Sequence, residues 1–146
     1  MRVRDAEPQD FDVVTELLEG LGRARVTEAT RDRCREIYAA QISDPAVKHL
    51  VAENDDGEVV AFCSLHFRNR LNHATAQAWI PDLFVRDSAR RQGVARALLE
   101  AAEKAALDRN CWDLTLESGH QRTEAHMVYS NFGMRDAGKY FRKLLG

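Results

Sequence analysis

One stretch of the chain, residues 76–107, passes from a strand pattern through a short turn into a long helix pattern. It begins AQAWIPDLFV, and its last part carries apolar residues at helical spacing: Val94, Ala97, Leu98, Ala101 and Ala105. A helix with one apolar stripe is stable when that stripe is buried, and the strand just before it offers a sheet to pack on. The stretch therefore predicts a mixed α/β fold.

The rest of the chain extends this pattern on both sides. Strands are predicted over 1–6, 46–54, 58–69, 76–86 and 111–117, helices over 8–22, 27–43 and 122–132, and a final strand or hairpin over 134–145. The turn DDG at 55–57 joins the second and third strands as a hairpin. On the third strand, Ser64, His66 and Arg68 lie opposite a continuous apolar face, so we expect them to face solvent or a cleft.

Pro81 interrupts an otherwise regular strand. Proline has no N–H to donate to a neighbouring strand, so the strand should be bulged or locally unpaired at this point. An edge strand is the alternative explanation, because proline is also tolerated there.

Length, charge and composition limit the classes of protein. A chain of 146 residues is the size of one domain, and 45% hydrophobic with 30% charged residues is typical of a globular protein. No apolar run could span a membrane, and no secretory leader is visible, so a cytoplasmic location without a membrane partner is expected. The net charge of −2 argues against a nucleic-acid partner.

The cysteines Cys34, Cys63 and Cys111 lie far apart among apolar residues. This arrangement is typical of reduced thiols in a core rather than of disulfides or a metal site. His120 and His126 lack the spacing of a metal-binding pair on one helical face, and no carboxylate or cysteine cluster joins them. We expect no metal.

The turn of the opening stretch reads Arg90, Arg91, Gln92, Gly93, Val94, Ala95. Backbone N–H groups at a helix start, with the positive end of the helix dipole behind them, can bind an anion, and glycine allows close approach. The two nearby arginines would add positive charge. A plain helix start with two solvated arginines is the other interpretation, because neither common glycine-rich phosphate motif is present.

Together with a second motif, this turn resembles the GNAT superfamily of acyl-CoA-dependent N-acetyltransferases. The first motif is the turn with its helix, DLFVRDSARRQGVARALLEAAE, and the second is RTEAHMVYSNFGM, with Ala125, Tyr129, Gly133 and Met134 at the family's spacing. The order of predicted elements matches the family fold over essentially the whole chain. The resemblance implies one domain, 1–146, with a mixed, mostly antiparallel sheet that splays between its fourth and fifth strands and is flanked by about four helices.

The resemblance also implies where acetyl-CoA binds. Its pyrophosphate would rest on the amides of Arg91, Gly93, Val94 and Ala95, within the motif that also holds Arg90 and Gln92. Its pantetheine arm would pair with the backbone of Leu83, Phe84 and Val85 in the gap between the fourth and fifth strands.

In such a family member, Tyr129 would give a proton to the departing CoA sulfur, although its ring could also simply pack with Val128 and Phe132. Asp82 and Glu117 are the candidates for removing a proton from the amine, with His120 and His126 as further possibilities and a water chain as another. Pro81 stands where relatives often have glutamate, and Arg122 stands where they often have asparagine.

The expected activity is direct transfer of acetyl from acetyl-CoA to a primary amine of a small molecule or peptide, by a monomer or homodimer. The two N-terminal helices and the loop before residue 80 should select the acceptor. The arginines of residues 23–35 alternate with acids, which favours a solvated helix face over an acidic-acceptor site. A non-catalytic acyl-CoA-binding module and a nucleotide-phosphate binder are the alternatives.

Overall fold

The structure, a computed structural model, describes all 146 residues, which form two compact units, Met1–Leu116 and Glu117–Gly146. The first unit contains five strands and three helices. The strands are β1 (Arg2–Asp5), β2 (Val47–Glu53), β3 (Val59–Arg68), β4 (Gln77–Val85) and β5 (Leu114–Leu116), and the helices are α1 (Phe11–Gly20), α2 (Glu28–Ile42) and α3 (Val94–Asp108). The second unit contains helix α4 (Thr123–Asn131).

The strands form one mixed sheet in the order β1-β2-β3-β4-β5. Neighbours from β1 to β4 are antiparallel, whereas β5 runs parallel to β4. The mixed, mostly antiparallel sheet and the number of four helices predicted from the sequence are confirmed. No helix of the chain is both long enough and apolar enough to cross a membrane.

The hairpin between β2 and β3 closes as its turn residues predict. The side-chain oxygen of Asn54 accepts hydrogen bonds from the amides of Asp56 and Glu58, and Gly57 takes a positive φ of 78°. Glycine reaches this conformation without a steric penalty. The local sequence therefore sets the register in which β2 and β3 pair.

The two faces of the sheet are covered by different helices. On one face, α1 buries Phe11, Val14 and Leu17 against Val51 and Phe62. Side chains alternate along a strand, so Cys63 and Leu65, both fully buried, lie on the opposite face. That face packs against α3, whose buried residues are Val94, Leu98, Leu99, Ala102 and Ala106.

The start of α1 is held by a buried ionic network. Asp10, only 5% exposed, accepts hydrogen bonds from the Arg4 guanidinium at 2.7 Å and from the Glu7 amide at 2.7 Å. The bond from Arg4 holds the pKa of Asp10 below its usual range. Arg4 also donates to Glu53 at the end of β2, so the network ties α1 to the edge of the sheet.

In the second unit, α4 ends as predicted at Gly133, which has a φ of 96°. The amide of Met134 donates to the carbonyl of Tyr129, and the amide of Gly133 donates to that of Ser130. This pair of bonds satisfies two of the last carbonyls of the helix.

The prediction of a strand or hairpin over 134–145 is wrong. These residues carry neither helix nor strand, and their large apolar side chains Tyr140, Phe141, Leu144 and Leu145 are exposed. A strand requires a partner strand to complete its hydrogen bonds, and the local sequence does not encode the position of that partner.

Candidate active site

A β-bulge lies in the middle of β4, where Pro81 predicted one. Ser64 pairs with Asp82 and His66 pairs with Trp79, so two steps along β3 correspond to three steps along β4. The extra residue falls at Ile80 and Pro81, and it bends β4 at this point. The bulge inferred from proline chemistry is therefore confirmed. β4 as a whole is an interior strand, but its pairing with β5 ends at Ile80, so Pro81 also begins a stretch with a neighbour on one side only.

Immediately after the bulge, β4 loses its pairing with β5. The parallel pairing covers only Ala78, Trp79 and Ile80, opposite Leu114, Thr115 and Leu116. From Asp82 to Val85, β4 pairs with β3 alone. The edge of β4 that β5 would have covered is thus open over residues 81–85, and this is the predicted splay between the fourth and fifth strands.

The register decides which backbone groups face this open edge. The Arg86 amide donates to the Val60 carbonyl, so residue 86 directs its backbone toward β3. In an antiparallel ladder the direction alternates, so Phe84 also faces β3, while Leu83 and Val85 present their N–H and C=O groups to the open side. The expected backbone contribution of Phe84 to a ligand at this edge is therefore corrected. The Phe84 ring instead contacts the α1 core beside Gly20.

The turn after β4 brings amides together at the start of α3. Arg91 and Gly93 both have positive φ, 62° and 79° respectively. Gly93 is the N-cap residue of α3, directly before its first helical residue. Alternation of left- and right-handed residues makes successive N–H groups converge into a concave anion site. The N–H groups of Val94 and Ala95 precede the first intrahelical bond, from Ala97 to Gly93, so the helix gives them no internal partner.

The space beside Gly93 is open. A Cβ built on Gly93 would meet no other atom within 4 Å, so the region in front of the glycine is open. The first turn of α3 contains no acidic residue, and no side chain caps it. An anion at this point would gain from the helix dipole without competition from a carboxylate.

Two side chains of the turn fix its shape. Arg90 donates a hydrogen bond from Nε to the Val85 carbonyl at 3.1 Å. The guanidinium of Arg90 also pairs with Asp87 at 3.2 Å, and it lies 5.4 Å from the centre of the Phe84 ring. The Gln92 amide donates to the Ser88 carbonyl at 3.3 Å. Arg90 therefore links the end of β4 to the turn, and one of the two outward carbonyls, that of Val85, is already bonded to it.

Asp82, the first residue after the bulge, forms an ion pair with Arg23 from the segment between α1 and α2. Arg23 Nε donates to Asp82 at 2.7 Å, and the same guanidinium donates to the Pro81 carbonyl at 2.9 Å. The Asp82 side chain is 21% exposed. This pairing joins the segment after α1 to the bulge, and sequence reasoning missed it because the partners are 59 residues apart.

Further polar side chains lie beside Asp82 on the face of the sheet covered by α1 and α2. Ser64 is 2% exposed and stands opposite both His49 on β2 and Asp82 on β4. His49 Nε2 bonds Gln41 of α2 at 2.7 Å, and burial lowers the pKa of His49 to about 4. The polar residues of β3 were noticed in the sequence, but His49 was not, because a single histidine within an apolar strand gives no local signal.

The remaining candidates belong to the second unit. Glu117 is exposed just after β5, and His120 is exposed before α4. Tyr129, His126 and Arg122 lie on α4 or at its start, and each is partly buried. Their chemical roles stay predictions.

The prediction of reduced cysteines in a core is met by Cys63, whereas Cys34 and Cys111 are partly exposed. All three are free, and burial raises the pKa of the fully buried Cys63 to about 12. Such a thiol does not ionise near neutral pH, so it is not a nucleophile. No group of three or more His, Cys, Asp or Glu side chains is arranged to hold a metal ion.

The geometry therefore consists of a bulged strand with an open backbone edge, followed by a glycine turn whose amides lie at a helix start. Comparison with known proteins makes the class specific. The profile of the acetyltransferase (GNAT) family matches residues 12–134, and the chain belongs to that family. Members use acetyl-CoA as cosubstrate and act on amines, so acetyl transfer is the chemistry of this chain.

Individual relatives agree with this assignment. A protein of Salmonella typhimurium named aminoalkylphosphonate N-acetyltransferase is 31% identical over 143 residues, covering 98% of this chain and 90% of that protein. A putative acetyltransferase from Agrobacterium tumefaciens has the same fold, with a TM-score of 0.86 and 23% identity over 99% of this chain and 100% of that one. An aminoglycoside 6'-N-acetyltransferase from Acinetobacter haemolyticus gives a TM-score of 0.78 at 19% identity, with both chains covered in full.

Proposed function

We propose that the chain transfers the acetyl group of acetyl-CoA to the primary amine of a small molecule, by direct attack while both substrates are bound. The observation that carries the proposal is the continuity of the open β4 edge with the turn of α3. Within Leu83–Ala95, the chain offers outward backbone groups for an extended amide-containing arm and then converging amides for a phosphate. A coenzyme A thioester has both groups in this order.

The residues proposed to hold the donor act through their backbone. The N–H and C=O groups of Leu83 and the N–H of Val85 are oriented to pair with the pantetheine arm, as a further strand would. The amides of Arg91, Gly93, Val94 and Ala95 are proposed to bind the pyrophosphate, and the helix dipole adds a favourable field. Arg90 and Gln92 hold the turn in the required shape through the Val85 and Ser88 carbonyls.

The bound thioester supplies an acetyl group that is activated toward an amine. The chain has to provide a neutral amine and to protonate the departing thiolate. We propose that the carboxylates of Asp82 and Glu117 attract the acceptor ammonium and assist its deprotonation. Tyr129 is proposed to donate the proton to sulfur, because a phenol combines an apolar ring for packing with a hydroxyl for proton transfer.

The acceptor is proposed to be a small primary amine, with aminoalkylphosphonates as the first class to test. The support is the Salmonella relative, which matches this chain over nearly its full length. The arginines of α2 do not make an anion site of their own, because Arg31 and Arg35 pair with Asp12 and Arg33 pairs with Glu36. A peptide amine and a non-catalytic acyl-CoA-binding role are the competing proposals.

The assembly proposed for this activity is one catalytic domain of residues 1–146, as a monomer or homodimer. Support comes from the family match, which runs from residue 12 to residue 134 and so includes parts of both compact units. The cytoplasmic location stays a prediction.

Release of free thiol from acetyl-CoA over a panel of amines tests the proposal. The panel contains aminoalkylphosphonates, amino acids, polyamines, an aminoglycoside and a peptide with a free N-terminus. We expect turnover with small amines by the wild type, a large loss of kcat in Tyr129→Phe, and wild-type rates in Tyr140→Phe, which removes an exposed hydroxyl instead. Tight acetyl-CoA binding with no turnover on any amine would establish the binding module in place of the enzyme.

A further inference from the structure

A half-buried histidine, His66, lies beside the bulge. His66 is on β3, on the same face as Ser64, and its register partner on β4 is Trp79. The centre of its ring is 5.7 Å from that of Trp79 and 6.3 Å from that of His49. It therefore lies on the sheet face where Asp82 meets Arg23, one pair along from the Ser64–Asp82 pair.

A hydrogen bond fixes the orientation of the His66 ring. Nε2 of His66 and the hydroxyl oxygen of Ser64 lie 3.1 Å apart, and Ser64 itself is 2% exposed. A buried hydroxyl on a central strand has little freedom to move, so it holds Nε2 in place. Nδ1, on the other side of the ring, is not part of this hydrogen bond. In the tautomer in which Nε2–H donates to the Ser64 oxygen, Nδ1 carries the lone pair and can accept a proton.

The charged groups around His66 act in opposite directions. Burial lowers its pKa, and Arg68 on the same strand lowers it further, while Asp82 on β4 and Asp44 before β2 raise it. His49, which faces it from β2, is itself held neutral by burial. Asp82 is in turn paired with Arg23. The balance keeps the imidazole neutral near neutral pH, so it can accept a proton.

We infer that His66, held by Ser64, is the group that takes the proton from the acceptor ammonium next to Asp82. The inference rests on the proposed function and divides the task between two residues. Asp82, committed to its ion pair with Arg23, attracts the ammonium, and His66 removes the proton. The nitrogen–hydrogen bond of the ammonium breaks with its electron pair left on nitrogen, and the proton bonds to Nδ1 of His66, directly or through one water. The imidazolium then returns the proton to solvent, since the ring is only partly buried.

The pH dependence of kcat/KM in His66→Gln tests the inference. Loss of a general base should lower kcat/KM at neutral pH by about 10² to 10³-fold, and it should remove the acidic limb that His66 gives the wild-type profile. The dissociation constant for acetyl-CoA should be unchanged, because His66 is not part of the donor site. His49→Gln is the matched control: it removes a neighbouring imidazole that bonds Gln41, and it should retain the acidic limb.

A second measurement does not depend on the variant folding. The imidazole resonances of His66 in the wild type, followed by NMR across pH, should titrate below the ordinary range and should shift when 2-aminoethylphosphonate is added. Ser64→Ala should change the tautomer signature of His66 while lowering kcat much less than His66→Gln does.

The outcomes separate the two proposals. An active wild type with an unaltered pH profile in His66→Gln, or with His66 resonances indifferent to the amine, overturns the role of His66 alone. A wild type that binds acetyl-CoA and acetylates no amine overturns the proposed function, and this inference with it.

Discussion

Replacing His49 with glutamine tests how much free energy it costs to protonate this buried imidazole on the sheet face covered by α1. His49 is 8% exposed, and its Nδ1 has no hydrogen-bond partner within the chain. Its ring lies between Tyr38 at 5.9 Å and Phe62 at 5.4 Å. Burial in this aromatic setting, helped by the nearby His66, lowers the pKa of His49 from 6.5 to about 4.

The sign of the pH effect on stability follows from the pH at which the folded and the unfolded state each bind the His49 proton. The unfolded chain protonates His49 below about pH 6.5, whereas the folded chain does so only near pH 4. Between these values the unfolded state holds more protons, so the free energy of unfolding falls as pH falls, and below the folded pKa the loss is complete. The loss is about 2 kcal/mol at about pH 5 and about 3 kcal/mol at about pH 4.

Urea unfolding followed by circular dichroism, at several pH values from about 7.5 to about 5, measures this term. As pH falls over that range, the wild type should lose about 2 kcal/mol of unfolding free energy relative to His49→Gln, which has no imidazole at this position to protonate. Contributions from carboxylates such as Asp10 are common to both proteins and cancel in the difference. Curves that stay parallel across the range would refute the argument that burial keeps His49 neutral.

Three other changes test separate parts of the structure. Arg23→Gln should lower kcat/KM for the amine by about tenfold, because Asp82 loses its charged partner, and it should leave the acetyl-CoA dissociation constant unchanged. Steady-state kinetics measure the first quantity and calorimetry the second. Weakened acetyl-CoA binding would contradict the assignment of Asp82 to the amine side. Leu98→Ala, at a fully buried position of α3, should cost about 2 to 5 kcal/mol in urea unfolding, and a cost below about 1 kcal/mol would show that α3 does not pack as described. Asp10→Asn should cost about 3 kcal/mol because it leaves Arg4 only partly paired, and unfolding at neutral pH measures it.

Features that depend on short-range chemistry could be predicted from the sequence. Pro81 cannot donate a ladder hydrogen bond, and the bulge occurs beside it. Gly57 and Gly133 stand where a turn and a helix end require positive φ, and both adopt it. The glycine turn before α3 was recognisable for the same reason, since the strand, turn and helix are consecutive in the chain.

Features that depend on residues far apart in the chain could not be predicted from the sequence. The pairing of Arg23 with Asp82 joins residues 59 apart, and no local pattern distinguishes it from any other pair of opposite charges. The direction of the Phe84 backbone depends on the register with β3, which the bulge resets. A strand or hairpin was expected over 134–145, but whether a segment forms a strand is decided by the position of another strand.

The assignment of acetyl-CoA to the β4 edge and the α3 turn is tested most directly by calorimetric titration of two glycine variants. Gly93 and Gly57 have nearly equal φ, 79° and 78°, and neither would bring a Cβ within 4 Å of another atom. Aspartate at either site should therefore cost a similar 1 to 2 kcal/mol or so of backbone strain. Only Gly93→Asp also places a negative charge where the pyrophosphate is proposed to bind.

Gly57→Asp should bind acetyl-CoA as the wild type does. Gly93→Asp should lose about 10² to 10³-fold in affinity, as expected for like charges a few ångströms apart. Equal thermal stability of the two variants would confirm that the loss is not due to unfolding. Wild-type affinity in Gly93→Asp would contradict the proposed position of the donor.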